Sequence, residues 1–163
     1  MKAAFDSKPT PEAELRALID RFDSENQKLF RSVRTALRKQ FPTANELAYD
    51  YPSSVVIGYS PTDKGVEAIL AISARADGLA LYFTHGPQLP DPKGLLQGSG
   101  KQTRFIPVES GKRLAHPDVK ALIAASIERA TVPLPASGKG MLIMKTDAAK
   151  KRKRRKSSAR LKK

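Results

Sequence analysis

Apolar residues recur with a period near 3.6 over the first part of the chain and near 2 over its middle, so helices precede strands. Residues 1–10 contain Pro9 and no periodicity and are expected as a loose leader. Pro11 and Glu12 suit a first helical turn, where proline loses no hydrogen bond and an acid faces the positive dipole end. Leu15, Leu18, Ile19 and Phe22 then form one stripe. Asp23 or Ser24 can cap a second helix with the stripe Leu29, Phe30, Val33, Leu37 and Phe41, ended by Pro42; the pair fits one kinked helix equally well. Ala44 to Tyr49 reads as a short turn or helix, and Tyr51-Pro52 closes anything helical.

Beyond Pro52, Val55, Ile57 and Tyr59 alternate with Val56, Gly58 and Ser60. After turn letters from Pro61 to Gly65, a second strand is predicted with Val66, Ala68, Leu70, Ile72 and Ala74 on one face. Ala76-Asp77-Gly78 marks a tight hairpin, and Leu79, Leu81 and Phe83 resume the apolar face. Three strands joined this closely are expected as antiparallel neighbours. Residues 103–108 alternate as a further strand, and Pro107 places it at an edge. His116-Pro117-Asp118 opens a last helix with the stripe Val119, Leu122, Ile123, Ile127 and Ala130. Met141 to Met144 fits either a last strand or a patch docked on the core. The order defines an α+β domain over residues 11–135, an antiparallel meander packed on N-terminal helices and a C-terminal helix, followed by a linker and basic tail over 136–163.

Composition narrows the chemistry. No cysteine occurs in the 163 residues, which removes disulfides, thiolate metal sites and cysteine nucleophiles. No apolar run suits a membrane span or a signal peptide, so a soluble cytoplasmic protein is expected. The net charge is +14, but residues 145–163 hold 11 Lys or Arg against one acid, leaving only +4 for residues 1–144. Seven consecutive cations, Lys150, Lys151, Arg152, Lys153, Arg154, Arg155 and Lys156, form its centre. Such a block repels itself and gains no burial, so a disordered tail is expected. Against a polyanion it displaces counterions and acquires salt-sensitive, sequence-independent affinity for DNA or RNA. A solubilising tail is the alternative. The tail has no interleaved aromatics, which argues against base stacking on single strands.

Gly98-Ser99-Gly100-Lys101 resembles a phosphate loop only in its letters. The P-loop needs a glycine where Leu95 stands and a hydroxyl where Gln102 stands, and it must open a helix, whereas a strand pattern follows here. The segment is therefore predicted as a turn whose glycines take positive backbone dihedrals. Lys101 and Arg104, with Gly98 and Gly100 beside them, still form a candidate anion site, and His85 at a strand end is a further ligand-binding candidate. The competing and favoured expectation is an ion pair from Arg104 to Asp91 that staples the Asp91-Pro92 loop to the strand. His116 is expected as a helix cap. Tyr49, Tyr51, Tyr59 and Tyr82 are expected in the core with wet hydroxyls, or along a cleft. No G-x-S-x-G elbow occurs, and no catalytic constellation or cofactor motif stands out.

The stretch "LYFTHGPQLPDPKGLLQGSGKQTRFIPV" resembles the YdhG-like family of domains of unknown function (domain of unknown function 1801). The matching letters are Leu81, Phe83, Gly86, Leu89, Asp91-Pro92, Leu95-Leu96, Gly98, Gly100, Lys101 and Arg104, and "PTANELAYDYP" is similar to the family's lead into its first strand. The resemblance covers about residues 12–130. It implies a bacterial protein with a helix-on-sheet sandwich, distantly frataxin-like, whose basic tail would then meet nucleoid DNA or ribosomal RNA, and an iron-chaperone role as one alternative function. Iron needs carboxylates close together, and the candidates Glu12, Glu14, Asp20, Asp23 and Glu25 are interleaved with Arg16 and Arg21. The expectation is a non-enzymatic domain tethered to nucleic acid, with iron handling second and an enzyme built on the glycine-rich loop third.

Overall fold

The computed structural model describes residues 8–145; the leader through residue 7 and the tail from residue 146, including Lys150 to Lys156, lie outside the described residues. Two separate helices open the fold, α1 (Pro11–Ile19) and α2 (Ser24–Gln40). Thr10 caps the first through its side chain, and Asp23 caps the second by accepting the Asn26 N–H at 2.8 Å. Four antiparallel strands follow, β1 (Asn45–Tyr51), β2 (Ser54–Ser60), β3 (Leu70–Arg75) and β4 (Gly78–Phe83), then β5 (Arg104–Val108), α3 (Pro117–Glu128) and β6 (Leu142–Met144). The sheet runs β5-β4-β3-β2-β1-β6, antiparallel throughout except where β6 pairs parallel to β1. It is an open six-stranded sheet in an α+β fold.

Two sequence expectations change. Residues 45–51 form a strand rather than a turn or helix, and the register Tyr49↔Val56 fixes its alternation against β2. Val66 is not on a strand face: residues 65–67 make a single 3-10 turn, Val66 is 85% exposed, and the strand begins at Leu70. Met141 to Met144 supplies the last strand of the sheet, so the folded region reaches past residue 135. Pro107 lies on edge strand β5, as its missing N–H requires.

The helices cover one face of the sheet. Ala48, Val55, Ile57, Tyr59, Leu70, Ile72, Leu81, Phe83 and Ile106 point into it and meet Leu15, Ile19, Phe30, Val33, Leu37, Val119 and Ile123. The opposite face is only partly covered. Loop 61–69 folds over one end, where the Ser60 hydroxyl donates to the Lys64 carbonyl and Leu47 is fully buried.

Candidate functional site

The glycine-rich loop is a turn, and no helix follows it. Gly98 has φ +106°, the left-handed region glycine tolerates, and the loop is pinned by paired hydrogen bonds between Gln97 and Phe105. Gly100, by contrast, does not adopt a positive φ. The expected Asp91–Arg104 ion pair does not form. The Asp91 carboxylate instead accepts the Leu95 and Leu96 backbone N–H groups at 2.8 and 2.9 Å, which stabilises the turn after Pro92. Arg104 donates to the carbonyls of Gly100 and Thr103, bracing its own loop.

Lys101 and His85 do come together. They line a cleft of about 430 Å³ with Thr84, Gln88, Gln102 and Glu67, and Arg104 is not among the residues of its wall. Glu67 is held by the Thr62 hydroxyl. One cation, one carboxylate and neutral polar groups give this cleft no net preference for an anion. His116 caps α3, its Nδ1 accepting the Asp118 N–H at 3.3 Å.

The strongest electrostatic feature was not foreseen. Glu46 on β1 points into the helix side of the sheet, 4% exposed, and receives Nε and Nη2 of Arg34 at 2.9 Å each. The Tyr59 hydroxyl donates to the same carboxylate at 2.9 Å. Arg34 also bridges to Glu12 with two hydrogen bonds of 3.0 and 2.8 Å, tying α1, α2 and the sheet together. Burial works against the Arg34 charge, but the hydrogen bonds it donates to Glu46 and Glu12 outweigh burial and raise its pKa. Burial, reinforced by the Glu46 charge, holds the Tyr59 phenol protonated well above its usual range.

Arg34 likewise holds the Glu12 carboxyl below its ordinary value, against burial. A lowered folded value gives stability that is present above the unfolded value, 4.5, and is lost as pH falls through the folded one. Glu12→Gln is therefore expected to be less stable than the native chain at pH 7, the two curves converging from about pH 5 downward. Circular dichroism melts across that range check this, and equal stability at pH 7 would contradict it.

Three of the five acids considered for iron are engaged elsewhere: Glu12 on Arg34, Asp20 at 3.7 Å from Arg31, and Asp23 as a helix cap. No group of three or more His, Asp or Glu side chains placed to hold a metal ion occurs among the described residues. No helix among them is long and apolar enough to cross a membrane.

The tyrosines divide between the two faces. Tyr59 is core, whereas Tyr49, Tyr51 and Tyr82 stand half-buried on the face away from the helices, with Phe105 beside Tyr82. The ring centroids lie 6.1 Å apart for Tyr49 and Tyr51, tilted by 18°, and 5.2 Å apart for Tyr82 and Phe105, tilted by 30°. Compared with protein-family models, curated proteins and solved structures, the chain matches none of them.

Proposed function

We propose that the protein is a non-enzymatic nucleic-acid-associating domain, a folded α+β core with a cationic tail that binds the phosphate backbone of DNA or RNA. The observation that carries this reading is the charge distribution. Of the net +14, residues 145–163 supply +10, with seven cations in a row from Lys150 to Lys156. A linear cation density of this kind gains affinity by releasing condensed counterions, independently of base sequence.

The core supports the reading by what it keeps occupied. Arg34 is committed to Glu12 and Glu46, Arg21 to Asp50 at 2.8 Å, and Arg104 to its own loop, so these three core arginines are held by structure. Iron handling draws less support, because Glu12, Asp20 and Asp23 already serve cations and a helix cap. An enzyme on the glycine-rich loop draws less as well, since Lys101 and His85 face a cleft without a paired base and nucleophile.

The test is fluorescence anisotropy with labelled duplex DNA and structured RNA, comparing the full chain with one ending at Met144. The shorter chain retains every strand and helix described above. Both substrates are expected to bind the full chain and to lose nearly all affinity for the shorter one. Undiminished binding by the shorter chain would move the site to the core and overturn the tail reading.

A further inference from the structure

We propose that the sheet face turned away from the helices is a stacking platform for the unpaired bases of single-stranded nucleic acid. The inference rests on the nucleic-acid reading and gives it a second, chemically different contact.

The register defines the platform. Tyr49 faces Val56, Val56 faces Ser73, Ser73 faces Ala80 and Ala80 faces Pro107, one continuous row across five strands. At about 4.8 Å per strand the row spans roughly 19 Å. Its middle is built of small side chains. Aromatic rings stand at both flanks, Tyr49 and Tyr51 on β1, and Tyr82 and Phe105 on β4 and β5. A Cβ on Gly65 would collide with the Tyr49 hydroxyl, so this ring is propped by loop 61–69 rather than free to swing. Burial, with Tyr51 adding to it, raises the Tyr49 phenol above its ordinary value, and the group stays neutral at physiological pH.

Charge selects the occupant. Alternation puts no Asp or Glu of any of the six strands on this face; the acids of β1, Glu46 and Asp50, point to the helix side and are paired there. Arg75 is the one strand cation on it, and it is exposed. A face whose strands carry no carboxylate, with Asp63 and Glu67 confined to the loop at its Tyr49 end, and flanked by aromatic rings, accepts a polyanion whose bases present flat π-surfaces.

The last described residue, Lys145, lies at the same edge of the sheet. β6 runs parallel to β1 with Met144 opposite Ala48, and the Lys145 N–H donates to the Ala48 carbonyl at 2.7 Å, one residue before Tyr49. The chain therefore enters its cationic segment beside the Tyr49–Tyr51 pair. Phosphates are held by the tail while bases lie on the rings, and the aromatics missing from the tail sequence are supplied by the sheet. Duplex DNA, whose bases are already stacked, gains only the first contact.

The test compares a labelled oligodeoxythymidine with a blunt duplex of equal length, using full chains. Leucine keeps apolar bulk while removing the ring, so the variants are Tyr82→Leu with Phe105→Leu, and Tyr49→Leu with Tyr51→Leu. Each pair is expected to weaken single-strand binding about tenfold or more and to leave duplex affinity and salt dependence unchanged. Unchanged single-strand affinity, or equal losses on both substrates, would overturn the platform while leaving the tail reading intact.

A second readout is independent of the tail. The chain has four tyrosines and no tryptophan, and three of the four lie on this face. With Lys150 to Lys156 all changed to Gln, the oligodeoxythymidine at low salt is expected still to quench tyrosine emission. Absence of quenching would refute the platform. Self-association of the native chain that the Tyr82→Leu, Phe105→Leu variant abolishes would give the face to a second copy and refute it equally.

Discussion

Replacing Arg34 by Met is expected to destabilise the protein by about 3–5 kcal/mol, the range for removing one partner of a buried ion pair. For a chain of this size that corresponds to a fall in Tm of roughly 6–20 °C. The reason is Glu46, whose side chain is 6% exposed and whose carboxylate accepts two hydrogen bonds from Arg34. Arg38 lies 3.7 Å away but is 45% exposed and offers a screened, poorly directed substitute. Adding Glu46→Leu to Arg34→Met is expected to recover much of the loss, because an apolar pair no longer strands a charge. The Tyr59 hydroxyl then lacks its acceptor at a cost of about 1–3 kcal/mol, which Tyr59→Phe relieves. Thermal denaturation of the single, double and triple variants separates these contributions. An Arg34→Met chain within about 0.5 kcal/mol of native would contradict the buried-pair account.

The second large effect belongs to the tail. Changing all seven cations from Lys150 to Lys156 to Gln removes up to seven phosphate contacts. At about 0.9 in log–log slope per contact, the salt dependence is expected to flatten by roughly 6. The affinity lost at low salt is expected on the order of a thousandfold, since proteins making six to ten such contacts lose about 10³–10⁵ between 50 and 200 mM salt. Thermal stability should be unchanged, because the substituted residues lie beyond the core cluster from Leu15 to Ala125. Anisotropy and melting on the same sample check both halves of the expectation.

Most elements were legible from period alone: both N-terminal helices, the hairpins through β2, β3 and β4, the edge position of Pro107 and the His116 cap. The strand that escaped, β1, shows why. Its core-facing positions are Glu46, Ala48 and Asp50, and two of these three are carboxylates matched to Arg34 and Arg21 on the helix side. Period-2 reading assumes an apolar inward face, so a strand whose inward face is charged and paired looks like a turn. Leu47, Tyr49 and Tyr51 at alternate positions were the signal that could have found it. Val66 erred in the other direction, an apolar letter continuing the alternation of a strand although it sits on an exposed 3-10 turn.

The sites were less legible than the elements. Asp91 and Arg104 look complementary as charges, yet unpaired N–H groups of the following turn claimed the carboxylate. Local backbone donors four and five residues away close only a short loop, and so they outcompete a distant side chain. Tyr82 could be placed on a strand from sequence, but Tyr49 and Tyr51 fell outside every predicted strand, and their face depended on β1 and its register, which pattern alone did not supply. The tail's charge needed no structure to be read.

On the proposed reading, the cationic tail holds the phosphate backbone of nucleic acid. The most direct measurement is the affinity of the native full chain for labelled duplex DNA, by anisotropy, from 50 to 200 mM salt. The expected result is saturable binding at 50 mM whose log Kobs falls linearly and steeply with log salt, with a slope of about −6 or steeper. Absence of binding at 50 mM, or an affinity indifferent to salt, would contradict it.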